Sequence, residues 1–341
     1  MATFVPAPAD GILPEGFFST SNLPTYVRLD GGWVAPSRPR MDCAIVRRGP
    51  ADLESVEPRL LEAGDAVLVG FDEHGADGVV VYSEGFLGGS HGANEFQFMA
   101  TEVSRERPTN YEDLAARLQE EKDRGGYVVW VTGPALVHSR ARGDFEWLIR
   151  NGYVQAVLAG NAVAVHDIEA AIFGTTLGMD NSGRPTHGGH GTHMRAINKV
   201  RALGSIRRAV ETGLVTSGIM HALTEHNIPY VLAGSIRDDG PLPEVITDSL
   251  AAQDAMREHT VRATGAVFVA TALHAIAVGN MLPAFHTHNA AGKPEPLMTI
   301  CVDQTEFVVN KLKDRGTHQA FGVVTNAQDF MHILRIFLER C

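Results

Sequence analysis

The chain reads as an α/β fold, an open parallel sheet flanked by helices and preceded by a small β-rich subdomain. Three observations predict it. From Tyr111 to the C-terminus, short β-branched runs alternate with helical patterns, which argues for parallel strands joined by helical crossovers. Six of those runs, YVVWVTG, YVQAVLAG, IPYVLAG, AVFVATAL, LMTICVD and AFGVVTN, close on small or polar residues: Gly133, Gly160-Asn161, Gly234-Ser235, Thr271, Asp303 and Asn326. Ligands of open α/β sheets bind outside the carboxyl ends of the strands, so these closing residues form one candidate site. Before Tyr111, the runs TYVRLDG, CAIVRR, AVLVGF and GVVVYS are short and separated by Gly, Pro and Asp turns, which describes the β-rich part.

In chain order, residues 1–22 carry several prolines and no helical period, and predict an extended arm on the surface or on a neighbouring subunit. Residues 23–110 make the small β-rich subdomain, ending in a glycine-rich stretch, GFLGGSHGANEF, that matches no phosphate-binding pattern and reads as a flexible loop or a ligand-covering lid. Residues 111–341 make the α/β domain, opening on a helix at Tyr111. Its most informative stretch runs from Val154 to Arg201. The buried-strand pattern VQAVLAG stops at Gly160-Asn161, a pair that can turn sharply and leave backbone N–H groups for a ligand. A helical pattern follows from His166. Gly183 to Gly191 then holds four glycines, a proline and two histidines, and His193, Arg195, Asn198 and Lys199 open another helical run.

With 341 residues, 44% of them hydrophobic, the chain can bury a substantial core. It has no basic N-terminal region followed by an apolar run and no stretch of about 18 uncharged apolar residues, so neither a signal peptide nor a membrane span is expected. Cys43, Cys301 and Cys341 are far apart and odd in number, which fits a reducing, cytoplasmic compartment without structural disulfides. The net charge of -11 disfavours nucleic acid, leaving a small molecule as the expected partner.

No G-x-G-x-x-G occurs, so a nucleotide would be held by dispersed groups. Asp303, an acid closing a strand, suits a ribose diol or equally caps the next helix. His187, His190 and His193 invite a metal, but their spacing suits a loop and no cysteine or carboxylate completes a set; no metal is expected. His166, Asp167 and Glu169 read as helix packing and capping, and AFHTHNAAGKPEP, with His286 and His288, as an exposed loop.

The phrases TSNLPTYVRLDGGWV, MDCAIV, LAGNAVAVHDIEAAIFGTTLG, GGHGTHMRAINKVRALGSI, SGIMHALTEHNIPYVLAGSIRDDGPLPEVITD, ICVD and DRGTHQAFGVVTN resemble the archaeal-type ornithine cyclodeaminase family. The same domain forms the C-terminal part of arginine dihydrolase/ornithine cyclodeaminase fusions, and its relatives are called LOR/SDH-like. The resemblance covers nearly the whole chain from about Gly11. It implies a Rossmann-like sheet similar to that of deoxyhypusine synthase, and NAD bound without the glycine fingerprint. Carried over by residue, it puts Asn161, Ala162, Asp239, Thr271, Ala272, Leu273, His274, Asp303, Asn326 and Ala327 beside the dinucleotide.

The reaction the resemblance implies converts L-ornithine to L-proline and ammonia, with hydride borrowed from the α-carbon and returned. Such a site must hold an α-carboxylate, deprotonate an amine and exclude water. Arg195 is the carboxylate candidate, unless it is a solvated helix residue. His190 and His193 are candidate bases. Asp238 could hold the distal ammonium or simply join Asp239-Gly240-Pro241 in a turn, and Lys199 is a further candidate base. Gly191 and Thr192 stand where the family more often has a basic residue and a second histidine, the Ala284–Pro296 loop is longer than usual, and the family's extra N-terminal domain is missing before Met1. Alternative readings are another basic amino acid as substrate for cyclodeamination or NAD-linked dehydrogenation, an aminoalkyl transferase like deoxyhypusine synthase, and a non-catalytic NAD-sensing module. A homo-oligomer, tetramer or dimer, is expected from the resemblance.

Overall fold

The computed structural model describes residues 1–82, 109–180, 182–187, 189–238, 240–287, 292–306, 308–310 and 321–341. Two compact units emerge. One is built on the described residues of Met1–Val103 and Gly279–Leu297, the other on those of Ser104–Val278, Met298–Lys313 and Ala320–Cys341.

The first unit is antiparallel. Strands β1 (Thr3–Pro6), β4 (Ala44–Gly49), β5 (Asp52–Val56) and β6 (Ala66–Val69) form one sheet in the order β1-β6-β4-β5, and β2 (Thr25–Leu29), β3 (Gly32–Val34) and β7 (Val79–Val81) form another in the order β3-β2-β7. Alternating burial along β2, with Thr25, Val27 and Leu29 inward, is the pattern of strands with one wet face. Residues 3–6, expected in an extended arm, are extended and pair antiparallel with β6, and Ala7 and Phe18 are buried in the cores beneath. The expected exposed loop at residues 284–296 departs from that reading: Phe285 and His286 are buried and pair, as β13 (Phe285–His286), with β14 (Glu295–Pro296). The apolar start of the segment, Ala284-Phe285, explains its burial. The glycine-rich stretch around residues 85–96 and His288 lie outside the described residues.

The second unit is the α/β domain. Its sheet contains β8 (Val128–Thr132), β9 (Ala156–Gly160), β10 (Tyr230–Ala233), β11 (Val245–Ile246), β12 (Gly265–Val269), β15 (Met298–Asp303) and β16 (Phe321–Val324), all parallel, in the order β11-β10-β9-β8-β12-β15-β16. Every one of the six predicted runs supplies a strand. Strands β8, β9 and β12 are buried at each residue, the signature of a parallel sheet covered on both faces. The helices are α1 (Tyr111–Asp123), α2 (Ala135–His138), α3 (Arg142–Arg150), α4 (Asn161–Phe173), α5 (Thr192–Leu203), α6 (Ile206–Glu211), α7 (Ile219–Glu225), α8 (Ser249–Thr260), α9 (Leu273–Met281) and α10 (Ala327–Leu338). Helix α4 begins at Asn161, five residues before the expected start, because Gly160 ends the strand and serves directly as its N-cap. Trp130 and Phe145 are among the largest buried side chains, and the indole N–H of Trp130 donates to the Tyr153 carbonyl at 2.9 Å, so the one polar atom of this core residue is satisfied. No helix among the described residues is long and apolar enough to cross a membrane.

Candidate functional site

The strand order decides where a ligand can enter. From β8 the chain winds through β9 and β10 to β11 on one side, and then returns to β12 on the other side of β8 before continuing to β15 and β16. Crossovers therefore leave β8 and β12 in opposite directions, and the carboxyl ends of these two strands define the switch point where open α/β sheets bind ligands. The backbones meet closely there. A Cβ added to Gly133 would lie 1.9 Å from the Ala270 carbonyl oxygen, and Ala270 itself adopts φ 55°, a left-handed conformation costly outside glycine.

A cleft of about 550 Å³ opens at this end of the sheet, within the size range of small-molecule sites. Pro134 and His138 follow β8, Gly160 to Val163 lie at the end of β9, Ala233, Ser235, Arg237 and Asp238 at the end of β10, and Thr271, Leu273 and His274 follow β12. Helix α4 points its first turn into the cleft, and among the described residues no side-chain oxygen caps that turn, which leaves its amide end available to an anion. An added Cβ at Gly160 would stand 2.8 Å from His274 Cε1, so only glycine lets the strand end and this imidazole approach each other. Asn161 is buried and donates from Nδ2 to Asp238 Oδ1 at 3.1 Å while its Oδ1 accepts from the Leu242 amide at 3.2 Å. Asp238 also accepts from the Ser235 amide at 2.7 Å. Burial holds the His274 imidazole below its ordinary range, against the opposing pull of the Asp238 charge.

The other wall carries histidines from three elements. His138 at the end of α2 meets His166 of α4 edge-on, with ring centroids 4.6 Å apart, and His166 lies 6.4 Å from His193 of α5. His166 Nδ1 is 3.0 Å from Oε2 of Glu169, one helical turn further on, and Glu169 is fully buried. The carboxylate accepts in addition from the hydroxyls of Thr175 and Thr192 and from the amides of Leu177 and Gly178. Burial opposes its ionisation, but the bonds from His166, Thr192, Gly178 and Thr175 outweigh burial and hold the carboxyl at about 2. His138 is the reverse case: burial, reinforced by the neighbouring His166 and only partly offset by Glu169, lowers it to about 4. Its Nδ1 is buried without a hydrogen-bond partner among the described residues.

Asn161, Ala162, His193, Asp238, Thr271, Leu273 and His274 thus come together on one cleft. Ala272 sits between two lining residues without lining the cleft itself. Arg195 and Lys199 lie on the exposed face of α5 and do not line it; an added Cβ at Gly191 would be 3.7 Å from the Arg195 guanidinium. Helical geometry separates them, since the turn that sends His193 and Ile197 inward sends 195 and 199 outward. Asp303, Asn326 and Ala327 stand at strand ends further along the sheet. Asp303 accepts from the Thr305 amide and hydroxyl, both at 2.9 Å, and Asn326 caps α10 through the Asp329 amide at 2.8 Å. Asp239 and the side chain of His190 lie outside the described residues.

Sequence reasoning missed His138, His166, Glu169 and Arg237. His166 and Glu169 were expected to pack and cap; instead His166 lines the cleft and Glu169 ties the 175–178 loop and α5 to α4. Their signal was a histidine and a glutamate spaced three apart within a mostly apolar helix, a spacing that places both on one face. Asp167, in the same triplet, caps a different helix, accepting from the Ile219 and Met220 amides of α7 at 2.9 and 2.8 Å.

Comparison with known proteins places these features in context. Residues 112–334 match the family model of the arginine dihydrolase ArgZ-like C-terminal Rossmann fold, and residues 24–112 that of the first region of the same C-terminal part. An ornithine cyclodeaminase of Methanopyrus kandleri is 46% identical over 98% of this chain and 78% of its own length. The crystal structure of a LOR/SDH protein from Methanococcus maripaludis superposes with a TM-score of 0.88 at 40% identity, covering 99% of this chain and 98% of that one. The ternary complex of AgrE with ornithine and NAD+ superposes with a TM-score of 0.62 at 35% identity over 99% of this chain, which spans 46% of AgrE.

Proposed function

The chain belongs to the family that joins the ArgZ-like C-terminal region to the archaeal ornithine cyclodeaminases, and from that membership we propose that it is an NAD-dependent ornithine cyclodeaminase, converting L-ornithine to L-proline and ammonia. The observation that carries the proposal is the cleft at the β8/β12 switch point, which joins an uncapped helix end to acidic, basic and imidazole groups.

The residues present fit a dinucleotide. The first turn of α4 suits a diphosphate, and Asp303 and Asn326 stand at strand ends along the same edge of the sheet. When bound, NAD+ supplies the acceptor for the α-hydride and holds it for return. The remaining work falls to this chain. Arg237 lines the cleft and Arg195 does not, so the α-carboxylate is assigned to Arg237. Asp238, oriented by Asn161 and the Ser235 amide, is assigned the distal ammonium. Apolar Val163, Leu177 and Leu273 border the same space and limit water at the imine.

The test is turnover of the purified protein with NAD+ and, separately, L-ornithine, L-lysine and L-arginine, with products read by mass spectrometry. Proline and ammonia from ornithine without accumulating NADH are expected. Stoichiometric NADH with a linear keto product would replace cyclodeamination by dehydrogenation. Turnover of lysine alone would move the substrate, and NAD+ binding without turnover of any of the three would refute the assignment.

A further inference from the structure

We infer that His166 is the base that moves the substrate's amine proton and that Glu169 is its positioning residue, an inference that rests on the cyclodeaminase reading above. Of the bases named from sequence, His193 lines the same cleft, Lys199 does not, and the side chain of His190 lies outside the described residues. His166 lines the cleft, and its Nδ1 stands 3.0 Å from a fully buried carboxylate. That carboxylate is acceptor only, so Nδ1 carries the hydrogen and donates it, and Nε2 is left with the lone pair a base requires. The arrangement follows the logic of carboxylate–histidine pairs in nucleophilic enzymes, where the acid fixes tautomer and orientation and stabilises the imidazolium without taking the proton. Glu169 meets that condition, because four further donors from Thr175, Thr192, Leu177 and Gly178 hold it as a carboxylate.

The surroundings complete the case. His138 faces His166 from α2 and His193 faces it from α5, while Asp238, Arg237 and His274 line the same cleft. His138 is neutral near pH 7, so it adds no charge beside the base. In the reaction, Nε2 removes one proton from the α-ammonium, and the freed lone pair expels hydride from the α-carbon to leave an iminium. The distal ammonium passes one proton to the Asp238 carboxylate that holds it, and the freed amine bonds to that carbon. His166 returns its proton to the α-nitrogen and takes the extra proton of the ring nitrogen as the carbon–nitrogen bond breaks and ammonia departs. Hydride then returns to the cyclic iminium and His166 restores the ring-nitrogen proton. The proton shed by the distal amine leaves on ammonia as ammonium, so ornithine yields proline and ammonium with no net oxidant.

The experiment compares wild type, His166→Asn, His166→Ala and Glu169→Gln with L-ornithine and NAD+, recording kcat, KM, NAD+ affinity, melting temperature and the pH profile of kcat/KM. Both His166 variants are expected to keep NAD+ affinity and lose roughly 10²–10⁴-fold in kcat, the usual weight of general acid–base catalysis. Added imidazole is expected to restore part of the His166→Ala activity. Glu169→Gln keeps a hydrogen bond to Nδ1 and removes the anion, so the acidic limb of kcat/KM should move to lower pH. Activity of His166→Asn within a few-fold of wild type, loss explained by weaker NAD+ binding, or an unmoved acidic limb in Glu169→Gln would overturn the inference. Wild-type protein that releases no ammonia from ornithine would instead sink the reading beneath it, before any variant is compared.

Discussion

Gly133 shows how one residue controls the site. Because a Cβ there would collide with the Ala270 backbone, Gly133→Ala forces β8 and β12 apart at their carboxyl ends. We expect a loss of about 1–3 kcal/mol, typical of overpacking, together with weaker NAD+ binding, both readable from denaturation with and without the dinucleotide. Two other residues set an acid limit. The folded value of His138, about 4, lies below its ordinary 6.5, so the unfolded chain binds the proton more readily between those values, and stability falls as pH drops from about 6.5 toward 4. Glu169, at about 2 against an ordinary 4.5, contributes stability present above 4.5 and lost as pH falls toward 2. The measurable consequence is that His138→Gln flattens the upper part of the acid melting curve and leaves the lower part. An unchanged slope between pH 6.5 and 4 would refute it.

At the scale of elements, α4 is the organiser of the unit. Its first turn faces the cleft, His166 and Glu169 reach the loop and α5, and Asp167 binds the N-terminus of α7 while accepting from Arg142 Nε at 2.6 Å. Burial raises the Asp167 carboxyl, and Arg142 and the two amides work against that rise. Asp167→Ala therefore leaves a half-buried guanidinium without its carboxylate and two helix amides uncapped. A destabilisation of about 3–5 kcal/mol is expected, as a lower denaturation midpoint with an unchanged slope. The elements most legible from sequence were those whose physics is local. Interior strands such as AVLAG and VVWVT announce themselves by unbroken apolar runs, and Asn110, Ser205, Asp248 and Asn326 cap helices through their own side chains. The start of α4 was misplaced because its cap is Gly160, which offers no side-chain signal. Strands β1 and β3 were overlooked because they are short and carry no buried residue, and β5 because its DLESV run has no continuous apolar stretch.

For the whole molecule, the strand-end residues of the sheet fall into two groups. Asn161, Asp238, Thr271 and His274 converge, while Asp303 and Asn326, two and three strands away from β8, are engaged in local caps in this structure. A prediction at this scale separates the two groups: Asn326→Ala costs about 1 kcal/mol as a lost cap and, if Asn326 also meets the dinucleotide, raises the NAD+ dissociation constant beyond what that stability loss explains. Titration of NAD+ at a temperature where both proteins are fully folded decides between the roles. By itself the sequence determined the fold class, since strand–helix alternation and burial patterns follow from side-chain periodicity along one chain, and its motifs pointed to the family. Only the tertiary structure decided which polar residues share a cleft. His138, His166, Glu169 and Asp238 come from three separate stretches of the sequence, and their proximity depends on strand order and on which face of each helix turns inward, which no local pattern encodes.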